Sequence, residues 1–231
     1  IAGCNSKNAN NAEQAEEHVK VELSGSGASF PQPFYGIVFE EYNRESGNEV
    51  AYGAIGSGAG LRNLKDKVVD FAGSDAYLTD EEMKDYDPVV HIPTCLGAIV
   101  LAYNLEGVDN LTLDGTTTAD IFRGKIKKWN DARIAALNPG VQLPASDITA
   151  VYRSDGSGST SVFTSYLTEV SAEWKAEIGA GTTVNFPVGM AAKGNAGVAQ
   201  VVAATKGSIG YIGSEYAFAQ KITSAAMINA C

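Results

Sequence analysis

The chain has 231 residues, a formal net charge of −10 at pH 7, and a composition that is 45% hydrophobic and 19% charged. These proportions are typical of a globular protein and exclude a largely disordered one. The negative balance argues against a nucleic-acid partner, since phosphate backbones select basic surfaces, but a small anion needs only local backbone dipoles and one or two fixed charges.

The opening residues have the form of the last positions of a bacterial lipoprotein signal. Ile1–Gly3 precede Cys4, and Asn5–Glu17 is polar, without apolar periodicity. Such a segment is typical of a flexible tether. We expect a lipid on Cys4 and a signal remnant plus tether over residues 1–18, so that the chain begins inside its own signal peptide. The alternative is an ordinary terminus with a chance cysteine.

From residue 19 onward, short strands alternate with small-residue loops and helices. The predicted strands are Val19–Leu23, Val50–Tyr52, Val69–Ala72, Ile148–Tyr152 and Ser208–Ile212. The predicted helices are one from Phe34 to near Gly47, one marked by Leu61, Leu64 and Val68, one with capping-box residues Thr79 and Glu82, Thr160–Leu167, and Gly194–Thr205. This alternation predicts an α/β architecture with mainly parallel strands. Residues 89–103 are predicted to be extended chain that passes between two lobes.

Four loops place glycine or hydroxyl residues between a predicted strand and a predicted helix. They are Ala28–Phe30, Gly56–Gly58, Ser74–Asp75 and Arg153–Ser159. The first turn of a helix has free N–H groups and partial positive charge, so such loops can hold an anion. A single loop of this kind is more often a simple helix cap, whereas four in one chain favour an anion site. Arg153 would supply fixed positive charge, and its guanidinium would be held in place by donating a hydrogen bond to Asp155.

Enzymatic interpretations of these loops find little support. No Gly-Lys-Ser/Thr occurs, the glycines at 56, 58 and 60 have the wrong spacing for a dinucleotide fingerprint, and no serine lies in a Gly-x-Ser-x-Gly elbow. A phosphate-ester hydrolase with Ser157 as nucleophile is the alternative function, but it lacks an evident general base.

Cysteine and histidine usage gives no sign of a disulfide framework or a metal site. The cysteines are Cys4, Cys95 and Cys231, and the histidines are His18 and His91, with no Cys-x-x-Cys and no His-x-x-x-His. His91 follows an apolar pair and is predicted to be a strand residue and not a catalyst. No run of about 18 apolar residues occurs, so no membrane-spanning segment is predicted.

The chain resembles the periplasmic phosphate-binding proteins, the substrate-binding subunits of high-affinity phosphate ABC transporters. The most specific match is Arg153–Ser159, which reads Arg-Ser-Asp-Gly-Ser-Gly-Ser where the family has Arg-x-Asp-Gly-Ser-Gly-Thr. Further matches are Gly25–Phe30, Gly56–Gly58, Asp70–Asp75, Gly124–Asn130, Phe163–Leu167 and Gly207–Tyr211. The resemblance covers about Val21 to Ala219.

That resemblance implies a two-lobed, type II periplasmic-binding-protein fold that closes over one phosphate. It also implies phosphate ligands from both lobes, with Asp75 as a hydrogen-bond acceptor and Asp155 holding Arg153. The implied ligands are Ser29, Phe30, Ser57, Asp75, Arg153, Ser157, Gly158 and Ser159. Ser29 and Ser159 stand where the family usually has threonine, and both keep the hydroxyl.

The resemblance further implies a protein that is not an enzyme and that needs no cofactor or metal. Its partners would be inorganic phosphate and the permease subunits of an ABC transporter, and it would work outside the cytoplasm, anchored to the membrane by the lipid on Cys4. We expect the first lobe at residues 19–93 and the second at residues 94–231. Family members continue past the position of Cys231 to complete the first lobe, so that lobe is expected to be incomplete here.

Overall fold

The computed structural model describes residues 20–229, which form nine strands and nine helices. The strands are β1 (Glu22–Gly27), β2 (Glu49–Ala54), β3 (Phe71–Gly73), β4 (Ile99–Asn104), β5 (Thr112–Asp114), β6 (Thr149–Arg153), β7 (Met190–Ala192), β8 (Ser208–Gly213) and β9 (Ala226–Ile228). The helices are α1 (Gln32–Ser46), α2 (Ser57–Lys65), α3 (Asp80–Met83), α4 (Gly115–Phe122), α5 (Ala132–Leu137), α6 (Gly158–Val170), α7 (Ala172–Glu177), α8 (Gly194–Ala204) and α9 (Ser214–Gln220).

The strands belong to three sheets. The first sheet has the order β2-β1-β3 and is entirely parallel. The second has the order β4-β8-β6-β7, in which β4 runs antiparallel to β8 while the other pairs are parallel. β5 and β9 form a parallel pair. The predicted α/β architecture is confirmed, and β4 is an antiparallel strand that it did not include.

Among the described residues, the apolar core lies almost entirely after residue 98. One cluster of buried side chains includes Trp129 and Trp174, and a second includes Val198 and Ile212. In the part before β4, by contrast, large apolar side chains such as Ile37 of α1 are exposed to solvent. Helix α1 therefore leaves apolar surface uncovered.

Several local predictions are confirmed. Helix α1 begins after Pro31 and ends at Gly47, whose φ of 73° is the left-handed conformation that favours glycine at a helix end. The capping box is present, because Thr79 accepts from the Glu82 N–H while the Glu82 carboxylate accepts from Thr79. The helix that it starts, α3, has only four residues.

Three local predictions are wrong. Strand β1 continues to Gly27, because Ser24–Gly27 pair with β2 and Gly25–Gly27 also pair with β3. Val68 lies beyond the end of α2 and is exposed. His91 is exposed and belongs to no strand, and its Nε2 atom accepts a hydrogen bond from the Leu78 N–H.

Candidate functional site

The four predicted anion loops lie directly after the carboxyl ends of β1, β2, β3 and β6. Three of them lead straight into a helix: Ser29 precedes α1, Ser57 begins α2, and Gly158 begins α6. The loops therefore bring free helix N–H groups and serine hydroxyls to the strand ends, where ligands of parallel sheets bind.

A cluster of hydrogen bonds joins the loops of the first sheet to the loop after β6. The Gly158 N–H donates to Ser57 Oγ at 3.1 Å, and Ser159 Oγ donates to Asp75 Oδ2 at 3.3 Å. These four residues, Ser57, Asp75, Gly158 and Ser159, are called the cross-sheet cluster below. Residues that are about a hundred positions apart in the sequence thus lie in contact, as the hypothesis of a shared site requires.

The backbones in this region approach closely because the loops contain glycine. The Gly58 N–H donates to the Gly156 carbonyl at 3.0 Å. A Cβ at Gly158 would lie 2.5 Å from Asp75 Cβ and 2.7 Å from Ser57 Oγ. Only glycine fits at Gly158 while these contacts are kept.

Arg153 is fixed by a two-point contact with Asp155, as predicted. Its Nε donates to Asp155 Oδ1 at 2.8 Å and its Nη2 donates to Oδ2, and the Arg153 side chain is only 1% exposed. Asp155 also accepts from the Gly194 N–H at 3.0 Å. Burial alone would raise the pKa of Asp155, but these hydrogen bonds outweigh it and lower the pKa below its usual value.

The pKa of Asp75 is shifted in the opposite direction from that of Asp155. Burial raises the pKa of its carboxyl group, and the hydrogen bond from Ser159 and the positive charge of Arg153 offset that rise only in part. The loops around Asp75 offer N–H and hydroxyl donors, which suit a negatively charged ligand. The buried carboxylate of Asp75 is instead a hydrogen-bond acceptor. Such a site suits an oxyanion that still carries a proton.

Two further predicted ligands, Ser157 and Phe30, have structural contacts as well. Ser157 is the N-cap of α6, since its hydroxyl oxygen accepts from the Thr160 N–H at 3.1 Å. The ring of Phe30 lies close to Gly97 and Gly213, so a Cβ at either glycine would collide with it. The helix-cap interpretation therefore holds for Ser157, while its hydroxyl proton stays free to donate.

Two residues in this region were missed by the sequence-based reasoning. Asn195 of α8 is fully buried, and both its backbone N–H and its side-chain amide donate to Ser29 Oγ at 3.0 Å. Tyr216 of α9 donates its hydroxyl to the Ser29 carbonyl, and burial raises the pKa of Tyr216 to about 12. Neither residue belongs to a loop with a recognisable motif, and only the packing of α8 and α9 against Ser29 reveals them.

Comparison with known proteins identifies the family. A family model for a PBP superfamily domain matches residues 12–229. The chain belongs to the PBP superfamily. Within this superfamily, it is 44% identical over 218 residues to the phosphate-binding protein PstS of Xylella fastidiosa, an alignment that covers 94% of this chain and 60% of the relative. The chain thus spans about three fifths of the length of that PstS protein.

Two solved structures show which fold this PBP superfamily chain has. A phosphate ABC transporter substrate-binding protein from Clostridium perfringens with bound phosphate matches with a TM-score of 0.70 and 20% identity, covering 89% of this chain and 75% of the other. The phosphate-binding protein from Stenotrophomonas maltophilia matches with a TM-score of 0.70 and 22% identity, covering 90% and 65%. The predicted type II periplasmic-binding-protein fold is confirmed.

Proposed function

We propose that this chain binds inorganic phosphate outside the cytoplasm and delivers it to an ABC importer. The observation that carries the proposal is the cross-sheet cluster, in which loops of both sheets meet beside the buried carboxylate of Asp75. The similarity to PstS supports phosphate as the ligand. No bond is made or broken in this function, so the loops act in binding and not in catalysis.

In the proposed site, each ligand residue has a defined role. The Ser29 hydroxyl, the Phe30 N–H and the Ser57 hydroxyl donate from the first sheet. Arg153 supplies the buried positive charge that an anion needs, and two hydrogen bonds to Asp155 hold its guanidinium in place. The other donors come from the start of α6, namely Ser157, Gly158 and Ser159.

Closure of two lobes, residues 19–93 and 94–231, would control access to this site. The direct hydrogen bonds of the cross-sheet cluster hold the two sets of loops together. Phosphate entry requires these contacts to part, and closure over the ligand replaces them with bonds to phosphate oxygens. Each lobe then contributes only part of the binding free energy, so release follows when the lobes separate.

Calorimetric titration with phosphate, sulfate and arsenate tests the proposed function. We expect phosphate and arsenate to bind, because each keeps a proton near neutral pH, and sulfate to bind much more weakly. A chain that binds none of these anions, or that hydrolyses a chromogenic phosphate ester, would contradict the proposal.

Replacing Gly158 with alanine should block closure. The new methyl group would overlap Asp75 and Ser57 in the cross-sheet cluster, so phosphate affinity should fall by about tenfold or more while the second sheet stays folded. Gly36→Ala is the matched control, because a Cβ at Gly36 meets no atom within 4 Å. Affinity is measured by calorimetry and folding by circular dichroism. Unchanged affinity in Gly158→Ala would refute this model of closure.

We further propose that Cys4 carries a lipid and that the permease subunits of the importer receive the phosphate. Cys4 lies outside the described residues, and within residues 20–229 no helix is long and apolar enough to cross a membrane. Because of the lipid, protein made from the native precursor should enter the detergent phase on phase separation, and Cys4→Ser should stay in the aqueous phase. Equal partitioning of the two forms would remove the anchor from the proposal.

A further inference from the structure

Asn195 holds a central position between the loops of the two sheets. It is the second residue of α8, fully buried, and its side-chain amide contacts Ser29, Ser159 and Gly213. The orientation of this amide is defined by its partners. The Gly213 N–H is a donor only, so the atom facing it at 3.0 Å must be the Asn195 carbonyl oxygen, and the NH₂ group must face the two serines.

This arrangement decides which way the Ser29 hydroxyl points. A serine hydroxyl has one proton to donate and two lone pairs that can accept. Both acceptor positions of Ser29 Oγ are used, one by the Asn195 backbone N–H and one by the Asn195 amide, each at 3.0 Å. Among the described residues, no acceptor receives the Ser29 proton. Ser29 is therefore constrained to act as a hydrogen-bond donor toward a ligand.

The same amide acts on a hydroxyl of the other sheet. Asn195 Nδ2 lies 3.4 Å from Ser159 Oγ, which in turn donates to Asp75 Oδ2 at 3.3 Å. One NH₂ group thus donates to both serine oxygens, and the single Ser159 proton goes to Asp75. The Ser29 proton, by contrast, has no acceptor among the described residues, and a donor that needs no reorientation when the ligand arrives is worth more than a freely rotating hydroxyl.

We propose that Asn195 is a positioning residue that fixes Ser29 as a hydrogen-bond donor to the bound oxyanion and directs the Ser159 hydroxyl toward Asp75. The inference rests on the proposed function and deepens it, because Asn195 contributes to affinity through the Ser29 hydroxyl. A role in packing alone would change the stability of the protein and not its affinity for phosphate.

A double-mutant cycle with phosphate as the probe tests this role on the 231-residue chain. In the wild-type background, Asn195→Ala should raise the phosphate dissociation constant by about tenfold, the loss typical of one or two hydrogen bonds. In a Ser29→Ala background the same change should cost no more than about threefold, because its main target is gone. Equal factors in both backgrounds, or a change below about twofold in the wild-type background, would overturn the proposal.

Asn195→Asp provides a second variant that keeps the shape of the side chain and the acceptor for Gly213. Its carboxylate would accept the Ser29 proton and reverse the hydroxyl, so phosphate affinity should fall further than in Asn195→Ala, by about a hundredfold. Affinity equal to the wild type in Asn195→Asp would overturn the proposal even if Asn195→Ala failed to fold.

Asn138→Ala is the matched control for loss of stability. Asn138 is a buried amide bonded to Thr112 and Ile134, away from the proposed site. This variant should lower the midpoint of denaturant unfolding and leave the phosphate dissociation constant unchanged. If instead it weakens binding as much as Asn195→Ala, the positioning role is refuted. If the wild type binds no phosphate, the proposed function itself is refuted. If the wild type binds phosphate and both Asn195 variants keep its affinity, only the positioning role is refuted.

Discussion

Arg153→Ala is expected to weaken phosphate binding by at least about 2 kcal/mol, since a desolvated, charge-assisted contact to the anion is lost. The Arg153 side chain is almost fully buried beside Asp155, so its charge is screened little by water or salt. Phosphate titrations of wild type and variant at one ionic strength measure this effect. Unchanged affinity would remove Arg153 from the site.

Loss of Arg153 also has a consequence for stability that can be separated from binding. The substitution leaves Asp155 as a buried carboxylate without its main partner, which is destabilising. The double variant Arg153→Ala, Asp155→Ala should recover stability to denaturant but not affinity. Arg44→Ala is the charge-matched control, because Arg44 is exposed on α1 and, within residues 20–229, pairs only with Glu41; it should change neither property.

The pH dependence of stability should report the Arg153–Asp155 pair. The folded pKa of Asp155 is below its unfolded value, so the pair contributes stability that is present above the unfolded pKa of about 4 and is lost as pH falls toward the folded pKa. Replacing Asp155 with alanine should abolish that part of the decrease in the free energy of unfolding at acid pH.

Asp75→Asn is expected to reduce the preference for phosphate over sulfate by about a hundredfold or more, because the mismatch between a desolvated carboxylate and an unprotonated anion disappears. The substitution keeps the size of the side chain, removes its charge and adds N–H donors. Both anions are titrated into both forms at constant ionic strength. If the variant rejects sulfate as strongly as the wild type does, Asp75 is not the selecting group.

The raised pKa of Asp75 gives this prediction a pH signature. As pH falls toward that pKa, Asp75 takes up a proton and becomes a donor, so sulfate should bind the wild type better at acid pH. The folded state also holds this proton more tightly than the unfolded state, so ionising Asp75 costs stability as pH rises through its folded pKa. Asp75→Asn should show neither dependence, while the exposed control Asp109→Asn should behave as the wild type.

The sequence by itself determined the local chemistry of this protein. Strand-to-helix loops that contain glycine and serine are set by near neighbours, since φ > 0 and helix capping depend on a few adjacent residues. The Arg153–Asp155 pair is equally local, because two positions along one loop bring both side chains within reach. The capping box of α3 and the end of α1 at Gly47 were predictable for the same reason.

Only the tertiary structure decided how these loops meet. The contact between Ser57 and Gly158 joins residues 101 positions apart, and no periodicity in the sequence reports which loops will face each other. Asn195 shows this most clearly, because its function depends on a partner 166 residues away and its own neighbours carry no motif. The pKa of Asp75 belongs to the same class, since burial is a property of the packed molecule and not of the residues beside it.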